Sequence, residues 1–272
     1  MNTANSRPAL ALARTLDLSV PSNQLAAGGA LAGLLLGRLS GQSWAGSLRT
    51  GAGAFAAWAT ARELDPDHAQ SAAAALAAEL LLGLADSPES DLAALEELLA
   101  AFLALGSLRL LSATVGVAPT LPEQLALGGG ALAAGTTNHK AAALVPGAAL
   151  LLSHTRGDDL GPQEPWTGVG ALVAGLLPTL LAASERDSLP ARLAAMAALV
   201  VAPAAVNIEE VSARNDLDTA QIAQERVKSS RLLSTGAVAL GLIAGGSRGL
   251  RPLSAACAGV GLWMLAGRAG TK

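Results

Sequence analysis

Residues 165–184, PWTGVGALVAGLLPTLLAAS, and residues 18–37, LSVPSNQLAAGGALAGLLLG, carry no charged side chain over their whole length. A helix must present about 20 mostly apolar residues to cross a hydrocarbon core about 30 Å thick. Both runs meet that length and read as membrane crossings. Six shorter uncharged runs, at 50–61 (extended back toward Trp44), 124–139, 141–155, 193–208, 232–247 and 252–267, become crossings if flanking Arg and Glu side chains reach the interface. Two more, around 71–85 and 98–118, contain Glu79 and Arg109. The expected fold is therefore all-α and polytopic, with about ten transmembrane helices.

Composition supports that class. Of 272 residues, 51% are hydrophobic and only 14% charged, against about 25% charged in an ordinary soluble domain. The rival is a soluble Ala-rich bundle, but such a bundle needs a polar face on nearly every helix, and 193–208 and 232–247 have none. Tyr is absent, and a net charge of −3 gives no attraction to a phosphate backbone, so no nucleic-acid partner is expected; membrane lipid is. One cysteine, Cys257, and three histidines give no disulfide and no zinc spacing. No cofactor motif is present: Gly128-Gly129-Gly130 lacks the Lys-Ser/Thr continuation of a phosphate loop. The first 21 residues lack the unbroken apolar core of a signal peptide, so the first hydrophobic helix is expected to be retained. Arg outnumbers Lys fifteen to three beside abundant Ala, Gly and Leu, as in a GC-rich bacterium, so a bacterial inner membrane is expected. With ten crossings more Lys and Arg fall on the N-terminal side, so both termini are expected in the cytoplasm.

The chain also matches itself at a shift of 122 residues. Trp44 falls on Trp166, Gly46 on Gly168, Gly53 on Gly175, Glu63 on Glu185 and Asp65 on Asp187, while Ser107, Arg109 and Ser112 fall on Ser229, Arg231 and Ser234. Residues 1–138 and 139–272 then form two five-helix repeats within one membrane domain. An odd number of crossings per copy makes the repeat inverted, an architecture common in secondary transporters. The polar segment 209–231 reads as a cytoplasmic helical excursion leading into the ninth crossing. Pro146, Pro178 and Pro203 are expected to kink or interrupt their helices.

The chemistry-bearing residues are few. Arg62, Glu63, Asp65, Asp67 and His68 follow the Trp58 helix, and three carboxylates with an imidazole over this span can hold a hard cation or relay protons. Their bland reading is a solvated interfacial turn stopped by Pro66. This Trp…Ala-Arg-Glu-Leu-Asp-Pro-Asp stretch resembles a segment of uncharacterised bacterial polytopic membrane proteins, a likeness of a few dozen residues that implies no activity. Arg109 falls deep in its apolar run, where a cation needs a partner, and Glu79 is the expected counter-ion. Gly29, Gly33, Gly37 and Gly41 recur every fourth residue and offer a close-packing face, a candidate homo-oligomer contact. The expectation is a secondary transporter of a small solute, with Arg62, Glu63, Asp65, Asp67, His68, Glu79 and Arg109 on the substrate or ion path. The alternatives are a membrane enzyme acting on a lipid or isoprenoid with a metal on Glu63, Asp65 and Asp67, or a scaffold without chemistry.

Overall fold

The computed structural model describes residues 10–137, 139–181, 187–207 and 210–270. Within them run ten helices: α1 Pro21–Leu39, α2 Trp44–Leu64, α3 Ala69–Ala85, α4 Asp91–Ser112, α5 Leu121–Thr136, α6 Lys140–His154, α7 Trp166–Leu181, α8 Leu189–Val206, α9 Gln224–Ala244 and α10 Arg251–Gly270. Among the described residues the only β pairing is a single bridge, Arg214 to Gln221. Each apolar run in the sequence has become a helix. Local chemistry sets the starts: Ser43, Ser90 and Ser188 accept from the backbone N–H three residues on, and Thr120 with Glu123 forms a capping box. Among the described residues one helix, α8, is both long and apolar enough to cross a bilayer by itself; α3, α6 and α7 are apolar but shorter.

The side-chain and loop bonds show which helix ends lie together. At one end, the N-terminal segment meets the α8–α9 loop through Arg14 and Asp216, and that loop meets the α2–α3 turn through Ser212 and Asp67. The Asp216 N–H donates to the Thr114 carbonyl after α4, and Arg226 joins Asp158 of the α6–α7 loop to the Leu111 carbonyl. At the other end, Gln42 of the α1–α2 turn donates to the Gly83 carbonyl near the end of α3, and Arg248 reaches Glu89 between α3 and α4. There Asp187 before α8 accepts from the Gly246 and Ser247 N–H groups after α9. The helices therefore alternate in direction along the chain, and each spans the bundle from one end to the other.

Small residues bring the helices close. A Cβ built on Gly33 would lie 2.8 Å from the Gly51 Cα, and one on Gly37 would lie 3.0 Å from the Ser47 Cα, so α1 seats its glycine stripe directly on α2. Gly29 faces Leu76 of α3 in the same way. Because α2 and α3 of the same chain cover this stripe, it is not the open self-association face expected from sequence. Gly41 instead turns the chain at φ 87°.

Two further expectations are corrected. Pro146, Pro178 and Pro203 do not interrupt α6, α7 and α8, which run through them as continuous helices. Of the segment 209–231, only Gln224 onward is helical. Before it, Asn215 accepts from the Thr219 N–H and Asp218 takes a positive φ of 54°, so side-chain bonds to the backbone close a loop rather than let a helix start early. Ile208 and Glu209 lie outside the described residues, as do Glu185 and Arg186 of the second repeat copy.

The segments around Asp65 and Asp187, aligned in sequence, lie at opposite ends of the bundle. Packing within residues 1–138 differs from packing within 139–272. Helix α2 is central, touching α1, α3, α4, α9 and α10, whereas α7 packs on α5 and α6. One exchange is reciprocal: α5 packs on α7, and α10 packs on α2.

Candidate functional site

Helix α2 ties together two buried charge networks. Arg49 lies near its start and Glu63 at its end, separated by about 20 Å of helix. Between them lies an apolar core that includes Ala54, Ala57, Trp58, Leu76, Leu105, Leu108, Val238 and Leu253.

The network at the Glu63 end contains the residues singled out in sequence. Arg109 donates from Nε to Glu63 Oε1 at 2.8 Å and from Nη1 to the Leu12 carbonyl at 3.0 Å. Glu63 also accepts from the Ser112 hydroxyl at 3.2 Å and from the Thr114 hydroxyl. The partner of Arg109 is thus Glu63, not the expected Glu79. Both sit at the same end of their helices because α2 and α4 run parallel, a relation that sequence alone does not give. Asp65 accepts from His68 Nδ1 at 2.9 Å in the Nδ1-protonated tautomer, and lies 3.8 Å from Arg231. Arg231 donates to the Leu64 and Ala205 carbonyls at 2.6 and 2.7 Å. Asp67 accepts from both the N–H and the hydroxyl of Ser212. Arg62 is half-buried beside these carboxylates.

The three carboxylates proposed to share a metal therefore have separate partners: Glu63 faces Arg109, Asp65 faces His68 and Arg231, and Asp67 faces Ser212. Among the described residues no group of three His, Cys, Asp or Glu side chains is placed to hold a metal ion. The metal alternative is set aside on this geometry.

The second network was read in sequence as separate pieces. Arg251 is buried, at 1% exposure, and donates to Glu79 Oε1 from Nε at 2.9 Å and from Nη2 at 2.7 Å, and to Asp86 from Nη1 at 2.8 Å. Arg49 donates to Glu97 at 2.7 Å and to the Asp86 backbone carbonyl. Arg248 reaches Glu89 at 3.1 Å and lies 3.9 Å from Asp86. Of these groups only Glu79 was a candidate path residue. The signal that could have found this network is the alternation of the helices, which brings the connection holding Asp86 and Glu89, the loop holding Arg248, and the helix ends holding Arg49, Glu97 and Arg251 to one end of the bundle.

No protein-family model matches this chain, and no curated protein or solved structure does. Function must therefore be argued from this geometry alone. Each network joins residues of 1–138 to residues of 139–272: Arg251 to Glu79 and Asp86 at one end, Arg231 to the Leu64 carbonyl and Ser212 to Asp67 at the other.

His139, just before α6, titrates against the second network. Burial holds its imidazole below the ordinary value, with Glu97 pulling upward and Arg248 pushing downward. The unfolded chain takes up a proton below about pH 6.5, where the folded site resists it, so unfolding binds protons in that window. Stability is then complete above about pH 6.5 and falls as pH drops toward the folded value. Thermal melting temperature is expected to drop on acidification from about pH 7 to about pH 5.5, and His139→Gln is expected to flatten that slope. An unchanged slope in the variant would assign the acid sensitivity to other groups.

Proposed function

We propose that this chain is a polytopic membrane protein whose ten helices cross the bilayer, and that it works as a secondary transporter of a small solute. The observation that carries the reading is the pair of ion-paired networks, one at each end of an alternating bundle, each linking the two halves. Ion pairs between moving halves are what an alternating-access device needs to hold one face shut while the other opens.

The distribution of side chains supports lipid as the solvent. Arg49, Arg226, Arg251 and Glu63 are among the largest fully buried groups, while Leu39, Leu181, Val200 and Ile243 are 79–90% exposed. A water-soluble bundle has the opposite arrangement, because burying charge is costly and exposing large apolar groups is unfavourable. Most helices run 16–22 residues, about 24–33 Å, which suits a hydrocarbon core of about 30 Å. The end holding Arg14, Arg62, Arg109, Arg156, Arg214, Arg226, Lys228 and Arg231 carries more cations than the end holding Arg38, Arg49, Lys140, Arg192, Arg248 and Arg251, which supports a cytoplasmic side for the first.

Two measurements test this reading. Reporter fusions after Asp65 and Asp187 should fall on opposite sides of the inner membrane; both on one side would reject the inverted topology. The native Cys257 lines a small space with Arg231, Leu64 and Ala205, just inside the cytoplasmic network. A membrane-impermeant maleimide should label it slowly in the parent and at least several-fold faster in Asp65→Asn, from the cytoplasmic side only. Equal labelling in parent and variant would reject the role of this network as a gate.

A further inference from the structure

Beside the Glu63 network a cleft of about 450 Å³ opens between α2, α4, α5 and the segment 10–20. That volume is in the range of small-molecule sites, about 300–1,000 Å³. Its body is apolar, formed by Phe55, Trp58, Leu103, Leu105 and Leu127 among others, and the exposed Leu99 and Phe102 stand at its outward side. The charged residues lining it are Arg14 and Arg109, and none is acidic. The Trp58 indole N–H on the same wall has no acceptor among the described residues.

We propose that this cleft binds a single-chain amphiphile with an anionic head, the chain lying along α2, α4 and α5 and the head meeting Arg14 and Arg109. Charge complementarity selects the occupant: a mostly apolar cleft whose charged lining residues are two arginines, with no carboxylate among them. Arg109 is nine-tenths buried and fixed by Glu63 and the Leu12 carbonyl, so it is pre-set for a head rather than drawn in by one. Arg14 is the more exposed of the two, at 31% against 9%. Its partner Asp216 belongs to an adjoining surface cavity that Arg14 also lines, and burial, supported by Glu63 and opposed by Arg14, lifts the Asp216 carboxyl above its ordinary range. The segment Ala13–Thr15 separates the two cavities, so Arg14 can exchange Asp216 for a head group by a side-chain movement alone. This inference rests on lipid as the solvent and does not require transport.

The test uses the full chain in phosphatidylcholine nanodiscs and hexadecyl phosphate carrying a diazirine at the far end of its chain. Photolabelling should map to α2, α4 and α5 and be competed by unlabelled hexadecyl phosphate, but not by hexadecanol, hexadecyltrimethylammonium or inorganic phosphate. Arg14→Gln should weaken competition at least tenfold. Gly106→Leu fills the slot, since a Cβ there already meets Leu12 and Leu127 at 3.8 Å, and it should abolish labelling without unfolding the bundle, checked by circular dichroism. Label spread over all lipid-facing helices, competition by hexadecanol equal to that by the phosphate, or full labelling of a folded Gly106→Leu would each overturn the proposal. A negative result in nanodiscs that hold correctly oriented, folded protein leaves the topology reading standing, so the two fail separately.

Discussion

Replacement of Arg251 by methionine is expected to be among the most damaging single changes in the bundle, costing about 3–5 kcal/mol, the usual range for removing one partner of a buried ion pair. Arg251 makes bonds of 2.7–2.9 Å to Glu79 and Asp86 from a fully buried position. Without it Glu79, itself 0% exposed, is left without the cation that compensates its charge. In detergent this should appear as a fall in melting temperature of roughly 10 °C or more. The cost belongs mainly to the abandoned carboxylate, so Glu79→Met/Arg251→Met should recover at least half of it. Lysine at 251 should fall between, because an ammonium group cannot reproduce a planar fork that serves two carboxylates. A single variant melting within about 2 °C of the parent would show that this network contributes little to holding the halves together.

Much of this bundle was legible in the sequence because helix existence depends on local pattern. The run 165–184 became α7 and 193–208 became α8, with ends shifted by a few residues where Ser188 capped early. Even the doubtful helix containing Arg109 was found. Pairing was not legible, since it depends on which helices lie side by side. The sequence offered Glu79 as the counter-ion of Arg109; that Glu63 takes this place follows from all connections of one parity lying at one end. The same parity argument, carried further, places Arg49, Asp86, Glu97 and Arg251 together. The local cluster of Arg62, Glu63, Asp65, Asp67 and His68 looked like one site because it is contiguous. In space its side chains diverge to Arg109, Arg231 and Ser212, which lie on α4, α9 and the loop before α9. Contiguity in sequence at the end of a helix is a poor guide to convergence, since α2 ends at Leu64 and Asp65, Asp67 and His68 stand in the turn beyond it rather than on one helix face. The glycine stripe was read correctly as a packing face, but whether its partner is another helix of the chain or another molecule is a tertiary fact.

Alanine at Gly51 or Gly175 is expected to destabilise the bundle strongly, while alanine at Gly28 should be neutral or stabilising, although all three lie inside helices. A Cβ on Gly51 would stand 2.3 Å from the Ala30 carbonyl oxygen, and one on Gly175 would stand 2.2 Å from the Ala143 carbonyl oxygen. Both obstacles are backbone atoms, so no rotamer change relieves them, and α2 must move off α1, or α7 off α6. Overpacking of this kind costs about 1–3 kcal/mol and occasionally more. Here the upper end applies, because separating α1 from α2 also strips the contacts of Gly33 and Gly37. Gly28 has no atom within 4 Å of a built Cβ, so there alanine brings only its better helix propensity, about 0.5–1 kcal/mol. Opposite signs for one chemical change separate packing from propensity. Melting of the three variants in the same detergent measures the difference, and a Gly51→Ala protein as stable as Gly28→Ala would show that the α1–α2 approach is looser than these distances describe. In a bilayer the contrast should persist, since lipid offers no hydrophobic drive to re-close separated helices, and close backbone contact is what holds the α1–α2 and α6–α7 pairs together.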